Sequence, residues 1–139
     1  MSHAKPLDTA AAIQVAELRE TLRSFLRESE LIAQKNGLTQ QRYLLLLMIK
    51  GARDGSECST VGELTTRLRL AQTTVTDLVA RAEQAGLIQR ERSKKDARVA
   101  LLRLTNEGER RLAYSVHDQA NQRRRLLQML RDIEKHSSR

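Results

Sequence analysis

Apolar residues recur at helical spacing along most of this chain. Val15, Leu18, Leu22, Phe25 and Leu26 carry the pattern through a first helix, predicted from about Leu7 to Lys35 and closed by Asn36-Gly37, a pair suited to a left-handed C-cap. Thr39 starts a second helix, Gln40 to about Lys50, whose run from Tyr43 to Ile49 is apolar nearly all round and so belongs in the interior. Gly51 closes it, and Asp54-Gly55 turns the chain. Thr60-Val61-Gly62-Glu63 has the spacing of a capping box and opens a short third helix to about Leu68, with Val61, Leu64 and Leu68 inward. Gly62 inside that helix costs up to ~1 kcal/mol against Ala, which signals either close packing or a tolerated flaw. Arg69-Leu70-Ala71 forms a turn plugged by Leu70. A fourth helix, Gln72 to about Ala85, then sets Val75, Leu78, Val79 and Ala82 on one face and Gln72, Thr73, Thr76, Asp77 and Ala80 on the other, and Gly86 ends it.

From Gly86 to Arg103 the period changes to two short apolar-bearing runs joined by a polar tip, Ser93 to Arg98, which predicts a β-hairpin. Thr105-Asn106-Glu107 restarts a helix that breaks near His117-Asp118 and continues to about Lys135. Its apolar positions, Leu112, Val116, Leu126, Leu127, Leu130 and Ile133, are sparse, and the polar stretch from Gln119 to Gln122 reads as a kink or an exposed junction. The sum is a mainly α chain with a small β-hairpin wing (α+β). Two helices across a short turn followed by a hairpin make a winged helix-turn-helix, flanked by N- and C-terminal helices. Residues 1–37, 38–104 and 105–139 divide a single integrated domain into N-terminal dimerisation helix, DNA-binding lobe and C-terminal dimerisation helices.

Charge gives this outline a direction. The net charge is +8, and the hairpin supplies half of it, with Arg90, Arg92, Lys94, Lys95, Arg98 and Arg103 against Glu91 and Asp96. Aromatic residues are limited to Phe25, Tyr43 and Tyr114, too few to stack on unpaired bases, so duplex phosphate is the more natural partner. A second basic cluster, Arg123 to Arg125 with Arg131, Lys135 and Arg139, reads either as a contact to flanking phosphates or as a solvated helix face. The chain has no apolar run near the ~20 residues needed to span a bilayer and no signal-peptide core, so the expectation is a cytoplasmic protein without membrane contact. Cys58 is alone, and His3, His117 and His136 are scattered, so neither a disulfide framework nor a metal site is expected. Cys58 follows a loop and reads as a redox-sensing thiol or as an ordinary semi-buried one. No Ser/His/Asp grouping, Gly-rich phosphate loop or paired carboxylates suggests an enzyme, and no cofactor is expected.

The order of motifs resembles the MarR family of bacterial winged-helix transcriptional regulators from Leu38 through Gly108. Leu38-Thr39 with Arg42-Tyr43 is similar to the entry to the family's second helix. Glu63-Leu64 with Leu68 and Leu70 is similar to its helix-turn-helix entry. Thr73-Thr74-Val75-Thr76 with Leu78, Val79 and Arg81, then Glu83 with Gly86-Leu87-Ile88 and Arg90, is the most specific stretch. Ser93, Asp96, Arg98 and Leu104-Thr105 with Gly108 complete the pattern. Two positions depart from it. Ala71 stands where a Ser N-cap is usual, so the fourth helix is expected either to begin one residue later or to be capped through Thr73. Ala97 replaces an Arg often found in the wing, which leaves the minor groove mainly to Arg98.

Gln72, Thr73, Thr74 and Thr76 are the candidate readers of base edges in a major groove, with Arg81 beyond them reaching a phosphate or a guanine. Lys94 and Lys95 suit phosphates, and Arg98 near the hairpin tip suits a narrow minor groove. The resemblance implies that Asp96 steadies Arg98. Apolar stripes on the terminal helices predict a homodimer, which the resemblance also implies, reading a near-palindromic duplex. It further implies a cleft between dimer base and lobe for a small aromatic or phenolic effector, with Phe25, Arg42, Tyr43 and Tyr114 as candidate lining residues. A nonspecific architectural DNA-binding protein and a winged-helix protein-interaction module are the alternatives.

Overall fold

In the computed structural model, residues 5–137 are described. His3 and Arg139, named above, lie outside them. Six helices and three strands follow in the order α1 (Thr9–Lys35), α2 (Gln40–Lys50), β1 (Cys58–Ser59), α3 (Val61–Leu68), α4 (Gln72–Gln84), β2 (Ile88–Arg92), β3 (Ala100–Leu104), α5 (Asn106–Asp118) and α6 (Ala120–Ser137). Most boundaries follow from local chemistry. The Thr39 hydroxyl accepts from the Arg42 N–H at 3.1 Å. Thr60 accepts from the Glu63 N–H at 3.1 Å while the Glu63 carboxylate accepts from the Thr60 N–H at 3.2 Å, so the capping box closes. Gly37 and Gly86 take the left-handed conformations, φ +75° and +73°, that end α1 and follow α4. The first helix starts at Thr9 rather than Leu7, because the Asp8 carboxylate caps it, accepting from the Ala10 N–H.

Two strands expected from the sequence pair in register from Ile88 opposite Leu104 to Arg92 opposite Ala100. A third strand was not expected. Cys58 and Ser59 pair antiparallel with Arg103 and Leu102 and extend the sheet to the order β1-β3-β2. The sheet and α2 to α5 enclose one core in which Leu45, Leu46, Ile49, Leu64, Val75, Val79, Leu87 and Leu102 are fully buried. The apolar helix α2 runs through its middle, as its pattern requires, with Leu44, Leu47 and Met48 completing the packing. Gly108 fixes where α5 leaves the sheet: a Cβ there would stand 2.1 Å from the Leu87 carbonyl oxygen, which also accepts from the Thr105 N–H. Gly62 is the tolerated flaw and not a packing glycine, since a Cβ would meet only the Thr60 hydroxyl at 3.8 Å.

The terminal helices α1 and α6 pack along each other beside this lobe, with the Gln14 side-chain amide donating to the Ile133 carbonyl. Their apolar stripes stay partly uncovered, as expected of helices that the lobe cannot fully cover. Val15, Leu22 and Leu26 are exposed, as are Leu127 and Met129, while α1 buries Thr21 and Ser29. The break between α5 and α6 falls at Gln119, but the junction is not exposed. Gln119 is 2% accessible, and its Oε1 accepts from Ser29 of α1 at 2.9 Å and Tyr43 of α2 at 3.3 Å. A buried amide needs such partners, so polarity here marks an internal joint.

Candidate nucleic-acid interface

Helix α4 buries Val75, Leu78, Val79 and Ala82 and exposes Gln72, Thr73, Thr74, Thr76 and Arg81. Gln72, Thr73 and Thr76 line one shallow groove with Asp77 and Ala80, and Thr74 lies outside that lining. Arg81 is paired with Asp77 one turn back, at 3.1 Å. Its guanidinium is therefore partly neutralised within the helix, where both side chains are open to solvent. The start of α4 corrects the expectation about its cap. The helix begins at Gln72, Ala71 is the N-cap, and no side chain closes it, Thr73 included. The first-turn N–H groups remain directed outward from the positive end of the helix.

The hairpin sorts its charges. Arg90 pairs with Glu83 at 2.8 Å, Arg103 with Glu91 at 3.0 Å, and Arg92 donates to the Ala97 carbonyl at 3.3 Å. Lys94 and Lys95 at the tip form no ion pair among the described residues. The tip itself is organised: the Ser93 hydroxyl accepts from the Lys95 and Asp96 N–H groups, and the Val99 N–H donates to the Asp96 carbonyl. The Asp96 carboxylate accepts from the Arg98 N–H at 3.0 Å and from the Arg98 guanidinium at 3.2 and 3.5 Å. These bonds, the backbone one foremost, hold the Asp96 carboxyl below the usual carboxylate range. The Arg98 side chain is 90% exposed even so. An arginine held by its base and open at its head is suited to enter a groove.

The sequence model of the MarR family matches residues 36–99, from the end of α1 through the helix-turn-helix, the first strand of the wing and its tip. Over that stretch the chain is similar to the MarR family. It is 34% identical over 86 residues to the organic hydroperoxide resistance transcriptional regulator of Bacillus subtilis (strain 168), an alignment covering 62% of this chain and 56% of that regulator, little more than half its length. The fold is that of solved MarR structures. YusO of Bacillus subtilis is 25% identical with a TM-score of 0.65, covering 92% of each chain. AbsC of Streptomyces coelicolor reaches a TM-score of 0.73 at 21% identity over 91% of this chain and 84% of its own. A second Streptomyces coelicolor MarR regulator, solved in complex with DNA, has a TM-score of 0.70 at 18% identity, covering 91% and 78%.

The four residues expected to line an effector cleft do not meet in one cavity. Phe25 lines a cleft of about 190 Å³ between α1 and α6. Tyr114 lines another beside Gly37, with the Arg110 guanidinium 6.0 Å from its ring centre. Tyr43 is buried in the core, where desolvation raises its hydroxyl pKa, and Arg42 is half-buried on α2. Cys58 is 9% exposed on β1, an interior thiol of the sheet. Gln119 and Gly108 are the positioning residues that sequence reasoning undervalued. For Gly108 the signal was present, as a glycine in the first turn of a capped helix.

Proposed function

We propose that this chain is a sequence-specific reader of duplex DNA, a transcriptional repressor that acts as a homodimer on a near-palindromic operator in the cytoplasm. The observation that carries this reading is the wing: Arg98 is tethered by Asp96 yet open, and it belongs to the same lobe as a helix face of small hydroxyls. Thr73 and Thr76 hydrogen-bond base edges or touch thymine methyl groups, with Gln72 and Thr74 beside them. Arg98 enters the minor groove, and Lys94 and Lys95 hold phosphates, which position the lobe without reading sequence.

One such lobe covers a half-site, and a second, related by a dyad and about 34 Å away, supplies the other. Exposed Leu22, Leu26, Leu127 and Met129 support the dimer, since side chains of this kind clustered on two packed helices favour a partner over water. A small aromatic or phenolic effector releases the operator in this reading, and Phe25 and Tyr114 line clefts open to molecules of that size. No helix among the described residues is long and apolar enough to cross a membrane.

Selection of bound sequences from a random duplex pool tests the reading. The expected outcome is enrichment of a near-palindrome with half-sites about one helical turn apart. Uniform retention of the pool would instead identify a nonspecific architectural protein.

A further inference from the structure

Between α3 and the segment joining α2 to β1 lies an open cleft of about 580 Å³, lined by Arg53, Asp54, Glu63, Thr66, Arg67 and Arg69. Its charged groups are not equivalent. Arg67 is committed to the fold, donating to the Met48 and Gly51 carbonyls at 2.9 and 3.1 Å and closing the end of α2. Glu63 is occupied by the capping box. Asp54 accepts from the Ser56 N–H at 2.9 Å, and hydrogen bonds from Ser56 hold its carboxyl below the usual range. Arg53 and Arg69 are both exposed, and among the described residues neither forms an ion pair. Two guanidinium-bearing side chains thus line the cleft without ion-pair partners, and with Arg67 they outnumber its two carboxylates, Asp54 and Glu63, which stay charged.

The cleft lies next to both DNA-reading elements. Arg69, in the left-handed conformation with φ 54°, is the C-cap of α3 and leads through Leu70 and Ala71 into α4. On the other side, Asp54 lies close enough to Lys95 of the wing tip to feel its charge. We infer that this cleft is a third contact with the duplex, in which Arg53 and Arg69 grip a backbone phosphate flanking the bases met by α4. A planar guanidinium presents paired N–H groups that match phosphate oxygens, and two of them around one cleft fix its position. The inference rests on the DNA-binding reading above and adds two residues to it.

Fluorescence-anisotropy titrations of the full chain against a selected duplex and a random one, each at several salt concentrations, test it. Arg53→Gln with Arg69→Gln is expected to bind both duplexes more weakly at low salt. The slope of log K against log salt should become shallower by about 0.9 for each phosphate that the variant no longer neutralises. Both duplexes respond alike because phosphates carry no sequence. Arg53→Lys with Arg69→Lys, which keeps the charge, should restore most of the slope. Arg19→Gln with Arg23→Gln on α1 removes the same charge elsewhere and should leave the slope unchanged. A glutamine variant with the wild-type slope overturns the inference, as does equal flattening by the α1 variant, which would reduce the effect to net charge. Wild-type protein that binds neither duplex removes the DNA-binding reading itself, whereas binding with an unaltered slope in the glutamine variant removes the cleft alone.

Discussion

The winged lobe and the frame of terminal helices are built from the same helical periodicity, yet they use it differently. In the lobe, Leu45, Leu46 and Ile49 of α2, Leu64 of α3, Val79 of α4 and Leu102 of β3 all disappear into one core. In the frame, Leu26 and Leu127 stay 57% and 52% exposed, while Thr21, Ser29 and Gln119 are buried. Hydrophobic spacing therefore identifies a helix in both regions but tells which face meets its own chain only where that chain supplies enough neighbours. The lobe completes itself. The frame keeps its polar residues inside for joints between helices and leaves apolar surface over, which is the part the proposed homodimer would cover.

Leu26→Glu combined with Leu127→Glu attacks the frame and should have the largest effect. In sedimentation at micromolar concentration the dimer is expected to give way to a folded monomer. Operator affinity should fall by about two to four orders of magnitude, because the second half-site is no longer engaged within the same complex. A double variant that still sediments as a dimer would remove these helices from the interface. On the lobe's side, Gly108→Ala drives a methyl into the Leu87 carbonyl and should cost about 3 kcal/mol or more in denaturant unfolding. An unchanged midpoint would mean that the junction of sheet and α5 adjusts freely.

Smaller changes sharpen the comparison without breaking either region. Asp96→Ala removes an acid beside the proposed DNA surface, so simple Coulomb attraction predicts tighter binding. Loss of the tether on Arg98 predicts the reverse, a weakening of about 1 kcal/mol as the side chain must be ordered on binding, and anisotropy at fixed salt decides between the two. Gly62→Ala enters open space in a helix and should raise stability by about 0.5–1 kcal/mol. A loss of stability there would mean that the added methyl meets a neighbour and that Gly62 is a packing glycine after all.

How much of this was legible in the sequence depended on whether the cause was local. Capping residues sit within three positions of what they cap, so the starts of α2 and α3 could be read directly, whereas the break expected near His117-Asp118 falls at Gln119. The helical period placed the start of α4 at Gln72, as found, whereas the expectation of a later start or a Thr73 cap fails because the helix begins behind Ala71 with no side-chain cap. Strand β1 has two residues and no period to detect. The cleft beside α3 was invisible for a different reason. Arg53 and Arg69 are unremarkable in sequence, and only the folded chain shows that Arg67 and the neighbouring acids are already engaged. The tether between Asp96 and Arg98, two residues apart, was expected from family resemblance and is present.

The third strand also bears on the order in which the molecule assembles. The β2–β3 hairpin closes across a short tip, so its two strands find each other readily, whereas β1 reaches β3 only by closing a loop that contains α3, α4 and β2. Loop-closure entropy grows with that length, and pairings distant in sequence form late. The hairpin can thus form early, but its inner strand gains its second neighbour only after the helix-turn-helix has folded between them. The wing is joined to α4 directly, through the Arg90–Glu83 pair, and the addition of β1 ties the same sheet to the segment between α2 and α3.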